Sequence, residues 1–342
     1  MNVFERVFTT LGHKEPDRVP FFLLLSLHGA KELGLSIRDY FSNPDNVVEG
    51  QLRLRRKYRH DCYNGFWYAP LEVEAFGGEV IFVEDGPPNS GNPPIRDFAA
   101  IDLLRPPVIA DHIKLQDVLQ SISRLKEASG NDAPIIGVVM SPFSLPVMQL
   151  GFERYLDLMF DHPALFEKLI AVNQEFCINW ANAQLAAGAT AICYFDPVSS
   201  PTIIPKKRFL ETGFRIARQT LAQFKGAAAI HLASGKTLAI IDEIVQSGAK
   251  VVGVSCKEDL GSLKRACAGR ITILGNLNGI EMARWSAKEA ETKVRDAIFT
   301  AAPGGGFILA DNHGEIPWQV PDEVLLAISE AVHRFGTYPI TR

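Results

Sequence analysis

The stretch Gly304-Gly-Gly-Phe-Ile-Leu-Ala-Asp-Asn-His-Gly-Glu-Ile-Pro317 contains a predicted strand and the first indication of a functional site. Three glycines lead into the apolar run 307–310, which predicts a short buried strand. The strand ends in Asp-Asn-His-Gly, a group of residues that can bind a metal, transfer a proton or turn the chain. The segment 227–235 repeats this arrangement, with a short apolar strand that ends at His231. We therefore expect His231 and His313 to share one site at neighbouring strand ends.

Composition excludes several classes of protein. Of the 342 residues, 47% are hydrophobic and 22% are charged, as expected for a globular protein with a full core. A net charge of −4 gives no general attraction for nucleic acid or for an anionic membrane. The sequence has no apolar run long enough for a membrane span and no signal-peptide pattern. Five scattered cysteines without a CxxC pair favour a reducing, cytoplasmic location.

Short apolar strands alternate with amphipathic helices along most of the chain. This alternation predicts parallel strands joined by right-handed crossovers. Eight strands are expected, which favours an α/β fold of the (β/α)8 TIM-barrel type over a doubly wound open sheet. The strands are predicted at 19–27, 61–67, 134–141, 189–196, 227–231, 250–255, 271–275 and 306–310.

The whole chain, 1–342, is interpreted as one barrel with two additions. A helical segment at 1–18 and a proline-rich loop at 85–114 are both expected to cover one end of the barrel. Residues 73–84, with Gly77-Gly78 in the middle, are predicted to form a hairpin.

Residues at the strand ends of such a barrel face its active-site pocket. The predicted catalytic residues are His231, His313, Asp196 and Tyr68, and the predicted cofactor-binding residues are Asn276, Ser141, Tyr194 and His28. Three of these residues can instead have a purely structural role. Asp196 can cap the next helix, Tyr68 can form part of an aromatic wall, and Asn276 can hydrogen-bond the barrel rim.

The mixture of histidine and cysteine at the strand ends suits zinc. The predicted ligands are His231, His313 and, as the leading third ligand, Cys256, with the carboxylates of Asp196 and Asp311 as rivals. Two alternatives remain open. Cys256 can be a small buried hydrophobe, and the two histidines can act as hydrogen-bond or proton donors without any metal.

Several stretches together resemble the uroporphyrinogen decarboxylase superfamily over nearly the full length of the chain. This resemblance implies a (β/α)8 barrel and one of two chemistries. One is decarboxylation of uroporphyrinogen without a cofactor, and the other is methyl transfer to or from a corrinoid, usually with zinc. The matching stretches are Glu15–Pro20, Asp61–Val80, Glu84–Pro87, Ser141–Ser144, Gly275–Leu277 and Phe307–Pro317.

Departures from the decarboxylase pattern argue against the first chemistry. The decarboxylase has an RQAGR motif after its first strand, but the matching stretch here is Leu25-Ser-Leu-His-Gly29, without either arginine. An essential aspartate of the FSD motif is replaced by Tyr68. A substrate rich in carboxylates needs arginine partners, and apolar replacements would leave its charges unpaired. Only His313 matches the decarboxylase site.

The methyltransferases of the superfamily bind zinc through a His-x-Cys pair after the fifth strand and a cysteine after the eighth. Here the first motif becomes His231-Leu-Ala233, and His313 stands near the second position, so the thiolates are lost. The resemblance thus implies methyl transfer between a small methylated substrate (an ether, amine or thiol) and a corrinoid, held free or on a corrinoid protein. The alternatives are a uroporphyrinogen decarboxylase-like enzyme and a non-catalytic barrel that binds a tetrapyrrole or corrinoid.

Overall fold

A computed structural model describes residues 1–341. Seven parallel strands form one sheet in the order β1, β4, β5, β6, β7, β8 and β9, and two short antiparallel strands pair outside it. The strands are β1 (Tyr63–Asn64), β2 (Val80–Ile81), β3 (Asn89–Ser90), β4 (Ile135–Met140), β5 (Ala191–Phe195), β6 (Ala227–His231), β7 (Val251–Gly253), β8 (Thr272–Leu277) and β9 (Phe307–Asp311).

An eighth segment closes this sheet into a barrel. Phe21 pairs in parallel with Leu309 of β9, and the Phe22 N–H donates to the Leu309 carbonyl at 2.8 Å. On its other side, the Asp61 N–H donates to the Phe21 carbonyl at 2.8 Å, just before β1. The chain therefore lies between the first and last strands of the sheet, and the predicted (β/α)8 barrel is confirmed.

The strand predicted at 19–27 is much shorter than expected. Pro20 has no N–H to donate, although its carbonyl accepts from the Leu309 N–H at 2.9 Å, and the pairing with β9 is limited to residues 20–22. The backbone then turns, with the Leu25 N–H donating to the Leu23 carbonyl at 3.0 Å. A helix begins at His28, which the sequence pattern did not predict.

Within residues 1–341, fifteen α-helices surround the barrel, and the long ones agree with the sequence predictions to within a few residues. They are α1 (Val3–Leu11), α2 (His28–Leu33), α3 (Ile37–Tyr40), α4 (Pro44–Tyr58), α5 (Leu71–Ala75), α6 (Ile113–Ala128), α7 (Pro146–Leu150), α8 (Phe152–Asp161), α9 (Pro163–Ala187), α10 (Lys206–Phe209), α11 (Arg215–Leu221), α12 (Ile241–Gln246), α13 (Leu260–Cys267), α14 (Ala287–Ala301) and α15 (Asp322–Phe335). None of the helices within residues 1–341 is both long enough and apolar enough to cross a membrane.

Helix ends follow from local side chains. The Asn2 side chain accepts from the Glu5 N–H, and the Glu5 carboxylate accepts from the Asn2 N–H, which together fix the start of α1. Ser286 and Glu289 form the same reciprocal pair at the start of α14. These caps satisfy N–H groups that a helix cannot pair internally.

The hairpin predicted at 73–84 is wrong. Residues 71–75 form α5, and β2 pairs instead with β3, which lies within the proline-rich segment. The Glu74 N–H donates to the Pro70 carbonyl at 3.0 Å, which closes a helical turn after the Ala69-Pro70 pair.

The two predicted additions lie at opposite ends of the barrel, not at one end. The Thr272 hydroxyl, at the start of β8, donates to the Thr10 carbonyl of α1 at the N-terminal end. In the proline-rich segment, the Asp85 carbonyl accepts from the Gln319 side chain, in the loop that follows β9. The sequence predicts both segments but carries no signal for which end each one covers.

The Glu15–Pro20 stretch ties α1 to the barrel. Arg18 and Arg6 both reach the buried Asp61 carboxylate, at 2.7 Å and 3.0 Å, and Arg6 also pairs with Asp17 at 2.7 Å. Asp61 additionally accepts from the Phe21 N–H. Because every oxygen of the buried carboxylate is paired, this motif serves the fold at the N-terminal end.

Candidate functional site

One cavity of about 530 Å³ occupies the inside of the barrel. At the C-terminal strand ends it is lined by Phe195, His231, Asp311, His313 and Glu315. At the other end it reaches Val7, Phe8 and Leu11 of α1. The predicted histidines therefore share one cavity, although 82 positions separate them in the sequence.

Apart from Phe195 and His231 at the strand ends, the paired residues of β5 and β6 in the cavity wall have small side chains. Ala191, Cys193 and Phe195 pair in register with Ala227, Ala229 and His231, and all six line the cavity. The intervening Tyr194 and Ile230 are buried, as expected where alternate residues of a strand face opposite sides.

His231 presents a hydrogen-bond donor to the cavity. Its Nδ1 accepts the Ala233 N–H at 3.0 Å, so the proton of the neutral ring is on Nε2. Burial, together with the nearby His313, lowers the pKa of His231 to about 4. The ring is therefore neutral at physiological pH. It packs flat against Gly253, where an added Cβ would lie 2.3 Å from the imidazole Cδ2.

His313 is held by two side chains. Its Nε2 lies 3.1 Å from the Asn278 Oδ1, and its Nδ1 is hydrogen-bonded to the Ser234 hydroxyl. The Glu281 N–H also donates to Asn278 Oδ1, which identifies that atom as the amide oxygen. Since this oxygen can only accept, the proton is on Nε2 and Nδ1 accepts from Ser234. Burial lowers the pKa of His313, so it too is neutral.

Glu315 is the third group at this mouth. Its Oε1 accepts from the Ser26 hydroxyl and from the Leu27 N–H, the latter at 3.1 Å. Within residues 1–341 the other oxygen, Oε2, has no protein partner, and Glu315 lines the cavity. Burial raises the pKa of this carboxyl to about 7. A carboxyl with this pKa can both hold and release a proton near neutral pH.

The predicted zinc ligands do not fit a metal site. Within residues 1–341 no group of three His, Cys, Asp or Glu side chains is close enough to hold a metal ion. Cys256 lines a separate depression together with Asn276 and Trp285, and burial raises the pKa of its thiol.

The ring nitrogen lone pairs of His231 and His313 already accept hydrogen bonds. The Nδ1 atoms of His231 and His313 accept hydrogen bonds, and their Nε2 atoms carry protons. The rival ligand Asp311 already accepts from the N–H groups of His313 and Gly314. A metal needs a free lone pair on each ligand, so the side chains fit hydrogen bonding and proton transfer better than zinc.

Asp196, predicted to be catalytic, is sealed away from the cavity. Its Oδ1 accepts from the Ser141 and Ser144 hydroxyls at 2.5 Å and 2.6 Å. Burial raises the pKa of Asp196 to about 6, although these hydrogen bonds oppose the shift. Ser141 and the neighbouring Tyr194, both predicted to bind a cofactor, do not line the cavity either. The hydrogen bond between Ser141 and Asp196 joins the loops after β4 and β5.

The three remaining predicted site residues also lie elsewhere. Tyr68 packs against Phe41 and Phe82, and its hydroxyl is 3.4 Å from Glu74, so the aromatic-wall alternative describes it better. The Asn276 side chain donates to the Ser255 carbonyl at 3.1 Å, so it hydrogen-bonds the barrel rim, as in the alternative interpretation. His28 is buried at the start of α2 beside Trp318, and burial lowers its pKa to about 3. A strand-end position alone does not tell which side a residue faces.

Three residues of the site were missed by the sequence analysis. Glu315 follows His313 by two positions inside the stretch quoted first, so an acid beside a strand-end histidine was the available signal. Ser234 and Asn278 have no such signal, because their contact with His313 joins three separate loops.

The closed barrel, with a cavity that opens at the carboxyl ends of its strands, defines a TIM-barrel protein with a site in the usual place for enzymes of this fold. The family model for uroporphyrinogen decarboxylase (URO-D) matches residues 3–335. The chain therefore belongs to the uroporphyrinogen decarboxylase family, whose members include enzymes, and the resemblance read from the sequence is confirmed.

Proteins similar to this chain are named either uroporphyrinogen decarboxylase or methyltransferase. A uroporphyrinogen decarboxylase of Xylella fastidiosa is 27% identical over 97% of this chain and 98% of its own length. One of Methylococcus capsulatus is 26% identical over 90% and 88%. Among solved structures, a methyltransferase from Methanosarcina mazei superposes with a TM-score of 0.88 at 19% identity, covering 98% of this chain and 99% of that one. At that identity the likeness shows the fold alone.

Proposed function

We propose that this protein transfers a methyl group between a small methylated substrate and a corrinoid, held free or on a partner protein. The observation that carries the proposal is the character of the cavity. Its wall is apolar, and its C-terminal mouth presents neutral histidines with a carboxyl of pKa about 7. Such a mouth suits a neutral ether or amine better than a polyanion.

The cavity is poor in cations. Among the residues that the structure describes, no arginine lines it, and its one lysine, Lys250, is at the N-terminal end. Leu25, which replaces a decarboxylase arginine, is fully buried, and Tyr68, which replaces the aspartate, packs against aromatic rings. Carboxylates of a bound uroporphyrinogen would lose their hydration without gaining partners, which is costly.

The residues at the mouth fit a flat, largely apolar ring system. Phe66, Pro70, Pro87, Pro88 and Met148 line this part of the cavity. A corrinoid, when bound there, supplies the nucleophile that takes the methyl group or, in the reverse direction, the methyl group itself.

His231 orients and polarises the methylated heteroatom. Its Nε2–H points into the cavity while Ala233 fixes the ring through Nδ1. Donation to the heteroatom stabilises the negative charge that develops as the carbon–heteroatom bond breaks. The bonding electron pair stays with the heteroatom, and the methyl carbon forms its new bond to the acceptor.

Glu315 completes the charge balance. The departing heteroatom needs a proton, and the protonated carboxyl can deliver one from Oε2. Ser26 and Leu27 hold Oε1 and so keep Oε2 directed at the cavity. The carboxylate then regains its proton from solvent at the mouth. In the reverse direction, it takes the proton from the methyl acceptor.

The test is methyl transfer from ethers, amines and thiols to Co(I) cobalamin, followed by the absorption change on methylation. We expect turnover with at least one ether or amine donor and a loss of turnover in Glu315→Gln. No absorption change with any donor would refute the proposal.

Uroporphyrinogen decarboxylation is the second candidate, favoured by His313 at a matching position and by the names of the curated relatives. Incubation with uroporphyrinogen and chromatography of the porphyrins distinguishes it. Release of carbon dioxide with a coproporphyrinogen product would establish the decarboxylase instead.

A further inference from the structure

We propose that the interior of the barrel binds a linear apolar chain of the substrate, between the mouth at His231 and the floor at α1. The inference rests on the proposed function for the chemistry at the mouth, but the binding it describes does not require methyl transfer. It assigns the substrate class as a compound with a heteroatom at one end and a medium-length alkyl chain behind it.

The inside of an ordinary (β/α)8 barrel is filled by layers of bulky branched side chains. Here the facing positions on β5 and β6 are Ala191 with Ala227 and Cys193 with Ala229. Ala191, Cys193 and Ala229 are partly exposed although they lie inside a closed barrel. Protein interiors are normally close-packed, so this exposure identifies space that a ligand can enter.

The shape of the space selects a linear occupant. The interior of an eight-stranded barrel is just wide enough for its own side chains or for one small ligand, so a bulky globular ligand does not enter it. From Ala191 to Phe195 the cavity wall extends about 13 Å along β5, at roughly 3.3 Å per residue. Its floor is formed by Val7 and Leu11 of α1.

The polar groups of the cavity are unevenly distributed. His231, Asp311, His313 and Glu315 lie at the mouth. Along the interior the lining residues include Leu24, Ile136, Val138, Ala191, Ala229, Val251, Leu274 and Ile308. Thr190 and Lys250 also line the cavity, at its N-terminal end. A ligand that matches this pattern is therefore polar at the mouth and apolar along the interior up to those two residues.

Calorimetric titration with 1-alkanols from butan-1-ol to decan-1-ol tests the inference without any methyl transfer. We expect the affinity to rise about fourfold per added methylene and to level off once the chain reaches α1. A compact alcohol with the same carbon number, adamantan-1-ol, is expected to bind at least tenfold more weakly than decan-1-ol. Equal affinities across the series, or tighter binding of adamantan-1-ol, would overturn the inference.

Two substitutions measure how far the alkyl chain of a bound alcohol reaches into the barrel. Ala229→Leu blocks the middle of the wall and Ala191→Leu blocks it nearer to α1. The affinity should therefore level off at a shorter alcohol in Ala229→Leu than in Ala191→Leu. Ala222→Leu, at an exposed position, is the matched control and should behave as the native protein. Each variant is checked by circular dichroism, and the series on the native protein decides if either one fails to fold.

The outcome separates this inference from the proposed function. Chain-length-dependent binding without methyl transfer from any methyl alkyl ether would leave the channel standing and refute the methyltransferase. Methyl transfer with a rate and affinity that do not depend on alkyl chain length would support the methyltransferase and refute the channel. Identical chain-length profiles for native protein, Ala229→Leu and Ala191→Leu would also refute the channel.

Discussion

Asp196 and Glu315 are both buried carboxyls at the C-terminal end of the barrel, and burial raises the pKa of both. Their surroundings differ. Asp196 accepts from two serine hydroxyls and lies outside the main cavity, whereas Glu315 has an oxygen directed into it. The comparison teaches that a raised pKa marks a functional acid only when the carboxyl can reach a substrate.

The largest effect is expected from Glu315→Gln. Glutamine keeps the acceptor for Ser26 but cannot supply a proton, so the methyl-transfer rate should fall by about 10²- to 10⁴-fold. Stopped-flow absorbance at saturating substrate measures the rate. Glu323→Gln, at an exposed position in α15, is the control. A rate within threefold of native in Glu315→Gln would remove Glu315 from the mechanism.

His231→Ala is expected to lower the rate by about 10²- to 10³-fold, the usual loss for one donor that stabilises developing charge. His231→Gln retains an N–H donor and should lose less. Because the pKa of His231 is about 4, titration of this histidine should not affect the native rate above pH 5. The rates of the native protein and of His231→Gln should therefore depend on pH in the same way above this value. A rate that rises between pH 5 and 7 in the native protein alone would contradict this role.

Asp196→Ala should affect stability and not the reaction. The Ser141 and Ser144 hydroxyls would lose their buried acceptor, which costs about 1–3 kcal/mol of unfolding free energy. Denaturant unfolding measures this loss, and the methyl-transfer rate at saturating substrate should stay within tenfold of native. A rate loss as large as that of Glu315→Gln would make the two carboxyls equivalent.

Glu72 is a third buried carboxyl, and its protonation should make the stability of the protein depend on pH. Burial raises its pKa to about 8, while Met140 N–H donates to Oε1. The proton is bound more tightly in the folded state, so the stability that it contributes is complete below pH 4.5 and is lost as pH rises through 8.

Glu72→Gln does not titrate and should therefore be more stable relative to native at pH 8 than at pH 5, by roughly 3 kcal/mol. Denaturant midpoints at the two pH values measure the difference. Equal differences at both values would mean that Glu72 has an ordinary pKa.

The smallest effect is expected from Cys256→Ser. Cys256 lies in a separate depression, outside the cavity that contains both histidines. Activity should stay within twofold of native, and the purified protein should contain well below one zinc per chain. Stoichiometric zinc that is lost in Cys256→Ser would restore the ligand set that the sequence predicted.

The fold was predictable because its signals are local. Apolar runs such as 307–310 and 227–231 ended where the strands end, and the long helices followed from their periodicity. The first strand was overestimated because Leu23, Leu25 and Leu27 are apolar but buried without pairing to the sheet.

The candidate site was predicted only in part, for a geometric reason. His231 and His313 were identified because a barrel brings all strand ends to one rim. Whether a residue faces the cavity depends on strand register and on loop paths, which no local pattern records. Asp196 and Glu315 were therefore not distinguishable in the sequence, although one is sealed by serines and the other is not.

The proposed role of Glu315 is tested most directly by the pH dependence of single-turnover methyl transfer from the methylated substrate to Co(I) cobalamin, in native protein, Asp196→Asn and Glu315→Gln. If Glu315 holds the proton, the native rate is highest below pH 7 and falls as pH rises through this value, because the carboxyl loses its proton. Asp196→Asn should follow the native profile, and Glu315→Gln should be slow at every pH. A native profile in Glu315→Gln, or its loss in Asp196→Asn alone, would contradict the account.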